Sequence, residues 1–363
     1  MSHSTWIEIN QKALEHNVAQ YKLWLPKKTS IAPVIKANAY GHGLCQIGTI
    51  HDQNPLVSRL CVANSHEALL LRNSNIKKPI LILSYVHPYD MQEVIDQNID
   101  ISVSDLATIN SLHSIALKRQ KKVNIHLKID TGMSRLGIFP HELSTYLNII
   151  KQLPALNLQG IWSHLSSSNK PAIVYQQEKL FEPFLTHHNF EKHMTNSLGA
   201  LNCKNSYDFA RIGLGLYGYL LTNKKFYKKA LQPVLSLKTT VFFIKKVPKN
   251  AYLGYQRLYK TDSQITIALL SIGYCDGLTP DLIGIGSVII KGKYAPILSI
   301  NMNVTTIDIT HIPECTVHDI ATIIGQDGQA SLSAYDWQLL LKRNIRICFA
   351  GLEPSIPRIV VNQ

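Results

Sequence analysis

The sequence has no apolar run long enough to cross a membrane and no apolar signal region at its N-terminus. Its six cysteines form no CxxC pair, and their spacing predicts neither a zinc site nor a disulfide framework. Only 17% of the 363 residues are charged, whereas 45% are hydrophobic, so a disordered chain is not expected. These absences favour a globular protein of a reducing cytoplasm.

Acidic residues are scarce as well, since 24 Asp and Glu stand against 37 Lys and Arg, and the net charge is +13. The basic residues are spread along the chain, with clusters at 118–122, 224–229 and 245–249, and no nucleic-acid-binding fingerprint surrounds them. We therefore expect a solvated surface rather than a nucleic-acid-binding face. A positive surface also attracts anionic ligands such as a phosphate or a carboxylate.

Strand-like apolar stretches alternate with helix-like stretches over the first part of the chain. The apolar stretches are Ile31–Ile35, Leu60–Ala63, Ile80–Leu83, Ile99–Val103, Val123–Ile129 and Leu158–Trp162. This alternation is typical of parallel βαβ units. About eight such units in roughly 215 residues predict an α/β fold of the (β/α)8 TIM-barrel type, whose active residues lie at the carboxyl ends of the strands.

The pattern changes after about residue 231. Strands such as 234–241, 265–270 and 287–290 then follow one another with Gly, Pro and Asp turns between them, which predicts a mainly-β C-terminal domain. We expect an N-terminal strand in residues 1–10 that packs with the C-terminal domain. The barrel then occupies residues 11–228, and the C-terminal β domain occupies residues 229–363.

Lys36 follows the apolar stretch Ile31–Ile35 and precedes a small, Gly-rich turn. A lysine at the end of a buried strand is poorly hydrated, which lowers its pKa and lets its amine form a Schiff base with an aldehyde. Tyr40 could place a phenol at the same spot, and Gly41 and Gly43 allow the backbone to approach a ligand closely. A surface lysine at a strand end is the alternative interpretation.

The stretch VIKANAYGHG at 34–43 resembles the cofactor-lysine signature of the alanine racemase family, enzymes that use pyridoxal phosphate (PLP) to interconvert L- and D-alanine. Four further stretches extend the resemblance along nearly the whole chain: KIDTGMSRLG at 128–137, RIGLGLYG at 211–218, GYQRLY at 254–259 and SIGYCDG at 271–277. The resemblance implies a PLP-binding barrel in which the protein orients the cofactor and the cofactor acts as the electron sink.

The resemblance also implies how the cofactor is bound. Lys36 would hold its aldehyde, and His164 would lie beside its ring. Arg211 would hydrogen-bond the pyridine nitrogen and keep it unprotonated, because an arginine does not give up its proton. The phosphate would be held by the Ser197 hydroxyl, the backbone N–H groups of Gly213 and Leu214, and the Tyr40 phenol.

Other residues would bind the substrate. By the resemblance, Arg135 binds the substrate carboxylate through its planar fork, and the backbone of Met302 meets the same carboxylate. Lys128 matches a lysine that the family often carries carbamylated. A carbamate there would orient Arg135, whereas two cations so close together would repel one another. Tyr274 would lie at the substrate entrance.

A racemase needs bases on both faces of the substrate α-carbon. The resemblance assigns Tyr255 to one face and Lys36 to the other, across the interface of a head-to-tail homodimer that completes both sites at once. A tyrosine, whose unperturbed pKa is about 10, needs nearby positive charge to act as a base. Tyr259 is the neighbouring competitor for this role.

The chain departs from the family pattern in its C-terminal part and at the rim after His164, where Leu165–Asn169 differ from the usual residues. Asn303 replaces a usual aspartate, Ser299 stands where an arginine is common, and Arg346 stands where a phosphate-contacting tyrosine is usual. An arginine at that position could still pair with phosphate. These differences affect entrance shape, rate and substrate range more than the type of reaction.

We therefore predict a cytoplasmic, homodimeric, PLP-dependent alanine racemase that uses Lys36 and Tyr255 as its two bases and supplies D-alanine for peptidoglycan. One alternative is a racemase of broader or shifted substrate, such as serine. The others are a non-catalytic PLP-binding barrel protein, a PLP decarboxylase with the same type of barrel, and a basic nucleic-acid binder.

Overall fold

The structure, a computed structural model, describes residues 3–186, 190–203, 205, 207–222, 225–257 and 259–362. Lys224 of the predicted basic cluster and Leu258 of the stretch at 254–259 lie outside the described residues. The chain forms two compact units. The barrel unit comprises Ala13–Ala39 and Leu44–Gln232, and the β unit comprises Met1–Lys12, Tyr40–Gly43 and Pro233–Gln363.

The strands of the described residues follow in chain order. They are β1 (Thr5–Asn10), β2 (Ser30–Pro33), β3 (Leu60–Val62), β4 (Ile80–Ile82), β5 (Asp100–Val103), β6 (Val123–Lys128), β7 (Leu156–Trp162), β8 (Glu191–His193), β9 (Phe209–Ile212), β10 (Leu235–Val247), β11 (Tyr252–Leu253), β12 (Tyr259–Lys260), β13 (Ile265–Leu270), β14 (Ser287–Ile290), β15 (Lys293–Ile300), β16 (Thr305–Asp308), β17 (Ile320–Asp327), β18 (Ala330–Leu332) and β19 (Arg358–Val361).

The helices of the described residues are α1 (Gln11–Trp24), α2 (Leu44–Gln53), α3 (Ser65–Asn73), α4 (Met91–Asp96), α5 (Leu106–Lys118), α6 (Leu143–Lys151), α7 (Pro171–Phe181), α8 (Lys225–Lys229), α9 (Ala334–Leu341) and α10 (Ile345–Ala350). Short 3-10 turns include Leu214–Tyr217, Tyr255–Arg257 and Tyr274–Asp276. None of the helices within the described ranges combines the length and apolar character that crossing a membrane requires.

The barrel unit is a closed ring of the parallel strands β2 to β9. Strands β3 to β8 lie side by side in chain order, and β2 pairs with β9. On one side a bridge between Val34 and Cys61 joins β2 to β3. On the other side Arg211 of β9 donates its N–H to the carbonyl of Thr195, just past β8, over 2.9 Å. Helices α2 to α7 connect the successive strands from β2 to β8, so the predicted (β/α)8 barrel is confirmed.

The β unit contains a sheet in the order β18-β17-β14-β15-β16-β13-β10-β1-β19. Strand β17 also pairs with β10, so the strands from β17 through β14, β15, β16 and β13 to β10 close into a small barrel. The long strand β10 permits this closure. Its first half pairs with β1 and β17 and its second half with β13, with a register shift between Val241 and Phe243. The predicted mainly-β character of this part is confirmed.

His51 on α2 is a polar residue buried in the barrel unit, and burying its ring reduces the stability of the folded protein. It is fully buried, and neither ring nitrogen has a hydrogen-bond partner in the described part of the chain. Burial, with a smaller contribution from the charge of Lys78, lowers the pKa of His51 from 6.5 to about 3. Protonating this ring inside the folded protein is therefore unfavourable.

We expect His51→Leu to reduce the loss of stability in acid. Between pH 6.5 and 3 the unfolded chain binds a proton at His51 that the folded chain does not bind, so stability falls as the pH falls through this window. The contribution is about 1.4 kcal/mol per pH unit. Urea unfolding at pH 7 and pH 4.5 measures it. The exposed His66→Leu is the control, and an unchanged pH dependence in His51→Leu would contradict the expectation.

Candidate active site

The predicted site residues of the barrel unit gather at the carboxyl ends of its strands, where active residues of such barrels lie. Lys36 follows β2, Lys128 ends β6, His164 follows β7, Ser197 follows β8, Arg211 belongs to β9, and Gly213 and Leu214 come directly after it.

The backbone after Lys36 is unusual, because Ala37–Tyr40 form a left-handed turn with φ values from 52° to 55°. Non-glycine residues avoid this conformation at a cost of roughly 1–2 kcal/mol each. Local bonds support the turn: Ala39 donates its N–H to the carbonyl of Ile35 over 2.8 Å, and Leu44 donates its N–H to the side chain of Asn38 over 2.7 Å. Strain of this kind is often retained at functional sites.

The expectation that Lys36 is poorly hydrated is wrong for one copy of the chain, because the residue is exposed. Strand β2 already ends at Pro33, so Lys36 directly precedes the left-handed turn instead of ending the buried strand. The residue is nevertheless close to the cluster of barrel residues. Its positive charge contributes to lowering the pKa of both Lys128 and His164.

Arg211 is 2% exposed and lies at the centre of this cluster. Its Nη1 donates to His193 Nδ1 over 2.6 Å, and its Nη2 donates to the carbonyl of Ser163 over 2.7 Å and lies 3.3 Å from His164 Nδ1. Its guanidinium carbon lies 4.5 Å from the centre of the Trp162 ring. Burial lowers the pKa of Arg211 to about 10, so the side chain remains a charged donor at neutral pH.

Arg211 also determines which nitrogen carries the proton in His193, which lies deeper in the barrel beside His126. Because arginine only donates, Nδ1 of His193 accepts and its proton is on Nε2, which lies 3.0 Å from His126 Nδ1. Burial and the nearby arginines lower the pKa of both rings far below the usual range, so both are neutral at pH 7. Sequence reasoning missed His126 and His193, because an inward-facing histidine within a strand leaves no local signal.

Lys128 and Arg135 add further positive charge at this end of the barrel. Lys128 is 4% exposed, and its Nζ lies 4.5 Å from the centre of the Trp162 ring. Burial, followed by the charges of Arg135 and Arg211, lowers the pKa of Lys128 to about 8. Burial and the charge of Arg211 also lower the pKa of His164 well below its usual value, so this ring is neutral at pH 7. The cluster is therefore electropositive and suited to anions.

The exposed Arg135 is carried by a loop that Asp130 organises. The Asp130 carboxylate accepts the N–H groups of Gly132, Met133 and Ser134 over 2.9 to 3.1 Å. Burial acts to raise the pKa of Asp130, but these backbone bonds bring it below the usual value, so the carboxylate stays charged. The loop that presents Arg135 therefore has a fixed backbone.

Ser197 follows β8, and its side chain lies against the beginning of the short turn after β9. Its hydroxyl accepts the N–H of Gly213 over 3.0 Å and the N–H of Gly215 over 3.3 Å. A Cβ on Gly215 would overlap the hydroxyl of Tyr21, so only glycine permits this close approach. Both N–H groups therefore donate to the Ser197 hydroxyl in this structure, and a phosphate bound here would accept these N–H groups in place of the hydroxyl and also accept the hydroxyl proton.

Four predicted site residues belong to the β unit. Tyr274 and Met302 are brought together: Tyr274 donates its N–H to the carbonyl of Asn301 over 3.0 Å, and Cys275 donates its N–H to the carbonyl of Met302 over 3.1 Å. Tyr255 lies on the turn between β11 and β12 and is 80% exposed.

Tyr40 is the fourth of these residues. Burial raises the pKa of its phenol, and the charge of Arg346 on α10 acts in the opposite direction. Helix α10 approaches the Tyr40–Gly43 segment closely, since a Cβ on Gly41 would overlap the carbonyl of Phe349. The guanidinium of Arg346 therefore acts electrostatically on the phenol that sequence reasoning connected with a phosphate.

Two family models match the chain. The N-terminal domain of alanine racemase matches residues 9–220, and the C-terminal domain of alanine racemase matches residues 234–360. The chain belongs to the alanine racemase family. The resemblance predicted from the sequence is therefore confirmed.

Several racemases resemble the chain over at least nine-tenths of its length. An alanine racemase from Methylacidiphilum infernorum is 35% identical over 338 residues, which are 91% of this chain and 86% of that protein. The solved structure of an alanine racemase from Clostridium difficile 630 has a TM-score of 0.93 at 28% identity and covers 100% of this chain and 97% of that chain. A histidine racemase from Leuconostoc mesenteroides has a TM-score of 0.90 at 25% identity and covers 99% of each chain. The predicted enzyme class, an amino-acid racemase, is confirmed by these matches.

Proposed function

We propose that this chain is a PLP-dependent racemase that interconverts L- and D-alanine. In a chain of this family, the observation that carries the proposal is the electropositive cluster of Lys36, Lys128, His164 and Arg211 at the carboxyl ends of the barrel strands. The same end provides the hydroxyl and N–H donor set at Ser197.

The donor set fits PLP. Ser197, with the backbone of Gly213 and Leu214, would hold the phosphate, and Tyr40 would add its phenol. Arg211, whose pKa of about 10 keeps it charged, would donate to the pyridine nitrogen, and the neutral His164 would lie beside the ring. When bound, PLP holds the substrate amino group and accepts the electrons left on the α-carbon as its proton leaves.

The substrate carboxylate would bind to the guanidinium of Arg135 and the backbone of Met302. A pKa of about 8 gives Lys128 a neutral amine far more often than an ordinary lysine, and a neutral amine is the form that becomes carbamylated. A carbamate on Lys128 would convert the repulsion between Lys128 and Arg135 into attraction and hold Arg135 in place.

Two residues would move the α-proton. Lys36 Nζ would hold the cofactor aldehyde in the absence of substrate and would exchange a proton with the α-carbon of D-alanine when substrate is bound. The hydroxyl of Tyr255 would do the same on the face used by L-alanine. Since Tyr255 is 80% exposed, it is available to a second copy, and we infer a two-fold homodimer in which each copy supplies Tyr255 to the other. Tyr274 would line the substrate entrance.

The cellular role follows from the product. We place the enzyme in the cytoplasm, where D-alanine would supply peptidoglycan synthesis.

Racemisation of L-alanine by the purified protein tests the proposal. With added PLP we expect D-alanine to form until both enantiomers are equal in amount, because they have equal free energies. Protein stripped of PLP should lose this activity and regain it when PLP is returned. No D-alanine under either condition would overturn the proposed function.

A racemase of another amino acid is the second candidate, because a histidine racemase shares this fold along the whole chain. The β unit has a feature that bears on substrate size. Ser299, which stands where the family commonly has an arginine, is buried and lies against Gly254, directly before Tyr255. Assays with L-alanine, L-serine and L-histidine at equal concentrations distinguish the candidates. Higher kcat/KM for serine or histidine than for alanine would favour the second.

A further inference from the structure

We propose that Glu67 is a positioning residue that holds the backbone at Lys36 and thereby directs its amine; this inference rests on the proposed function of Lys36. Glu67 was not among the residues predicted from the sequence. It lies in the first turn of α3 and is 8% exposed.

Both carboxylate oxygens of Glu67 bind backbone. Oε1 accepts the N–H of Ala37 over 2.6 Å, and Oε2 accepts the N–H of Ala63 over 2.8 Å. The backbone N–H of Glu67 donates to the Asn64 side chain that caps α3, over 3.0 Å. The backbone of Glu67 is therefore fixed within a capped helix, and its carboxylate binds two other segments of the chain.

The bond to Ala37 acts on Lys36 directly. The N–H of Ala37 belongs to the planar peptide that joins Lys36 to Ala37, so a bond at this N–H fixes the orientation of that plane. Ala37 is also the first residue of the left-handed turn, with φ of 53°. A strained backbone keeps one conformation only when its surroundings determine it, and Glu67 supplies the bond at the beginning of the strained run.

The hydrogen bond to Ala63 connects the turn after Lys36 to a rigid part of the barrel. Ala63 directly follows the buried strand β3 (Leu60–Val62), and the N–H of Ile35 donates to the carbonyl of Cys61 on the same strand over 2.9 Å. Glu67 thus joins the Lys36 turn to the barrel strand beside it. An amine held this way keeps its distance from the other residues at the same end of the barrel.

The contacts require a carboxylate rather than an amide. Two N–H donors need two acceptor oxygens, and a glutamine offers one oxygen and one NH2 group that would itself face an N–H. Glu67→Gln therefore loses one hydrogen bond and places its NH2 donor against a backbone N–H donor. The volume of the side chain stays nearly the same. A buried donor left without its acceptor is costly, so we expect the turn to move.

Primary deuterium isotope effects on kcat/KM for α-deuterated D- and L-alanine test the positioning role. Because Lys36 serves D-alanine, Glu67→Gln should slow the proton transfer at Lys36, raise the effect for D-alanine and lower that for L-alanine, with kcat lower by about 10- to 100-fold. The matched control is Glu178→Gln, a buried carboxylate of the same unit that accepts from Asn205 N–H and Tyr207 Oη. Equal changes for both enantiomers, or the same asymmetry in the control, would overturn the proposal.

Hydrogen exchange tests the positioning role of Glu67 without an activity assay. Hydrogen exchange of a peptide covering residues 34–43 should be faster in Glu67→Gln than in the wild type, and unchanged in Glu178→Gln. If the peptide exchanges as slowly in Glu67→Gln as in the wild type, the positioning role is wrong even if the enzyme is a racemase. If the wild-type protein has no racemase activity, the proposed function is wrong, but the exchange rates still decide whether Glu67 holds the turn.

Discussion

Lys36→Ala is expected to abolish racemisation, with a loss of about 10⁴-fold or more, because one amine both holds the cofactor and moves the α-proton. The variant should also lack the absorbance at about 420 nm that a lysine-bound PLP gives. Lys36 is exposed, so the substitution should change the free energy of unfolding by no more than about 0.5 kcal/mol. Loss of activity can then be separated from loss of folding.

Absorbance spectra, D-alanine formation and a thermal melt on the same preparation measure these three quantities. Lys118→Ala, at the end of α5, is the control for removing a lysine from the surface of the barrel unit. Lys36→Arg keeps the charge but not the nucleophilic amine, and it should be as inactive as Lys36→Ala. Wild-type colour and rate in Lys36→Ala would mean that another group holds the cofactor.

Tyr255→Phe is expected to keep the cofactor colour and lose racemisation by about 10²- to 10⁴-fold. Because the enantiomers have equal free energies, kcat/KM must fall equally in both directions, so steady-state rates do not reveal which face is affected. Exchange of the α-proton with solvent reveals which face is affected. The variant should still exchange the α-proton of D-alanine, through Lys36, and should nearly stop exchanging that of L-alanine.

Two neighbouring tyrosines make matched controls for Tyr255→Phe. Tyr252 is 49% exposed on the same hairpin, and Arg257 lies 5.1 Å from the centre of its ring. Tyr259, the competitor in sequence, packs against the small apolar cluster around Leu253. Phenylalanine at either position should leave both exchange rates unchanged. If Tyr259→Phe instead stops exchange from L-alanine, the second base has been assigned to the wrong residue.

The barrel and the location of its site could be predicted from the sequence because both depend on local patterns. Short apolar stretches in alternation predicted the strands, and the strand ends predicted where Lys36, Lys128 and His164 gather. The closure of the β unit was not predictable in this way. The pairing of β10 with β17 joins segments far apart in sequence and leaves no periodic signal in either strand.

The details at Lys36 show where local patterns fail. Apolar residues up to Ile35 predicted a strand reaching the lysine, but β2 ends at Pro33 and a left-handed turn follows. Alanine rarely adopts positive φ, so the sequence KANAY gave no warning of this conformation. What permits it, the Glu67 carboxylate 2.6 Å from the Ala37 N–H, comes from a helix thirty residues later and is visible only in three dimensions.

The pairing of β1 has a consequence for protein synthesis. This strand is translated long before its partners β10 and β19, which begin at Leu235 and Arg358. At about 5–20 residues per second, the ribosome takes on the order of ten seconds or more to deliver the first of them. Throughout that time a nascent segment that includes Trp6, Ile7 and Ile9 must avoid other chains. Glu8, which later pairs with Lys238 over 2.7 Å, is a charge in the middle of the segment that guards it against premature association.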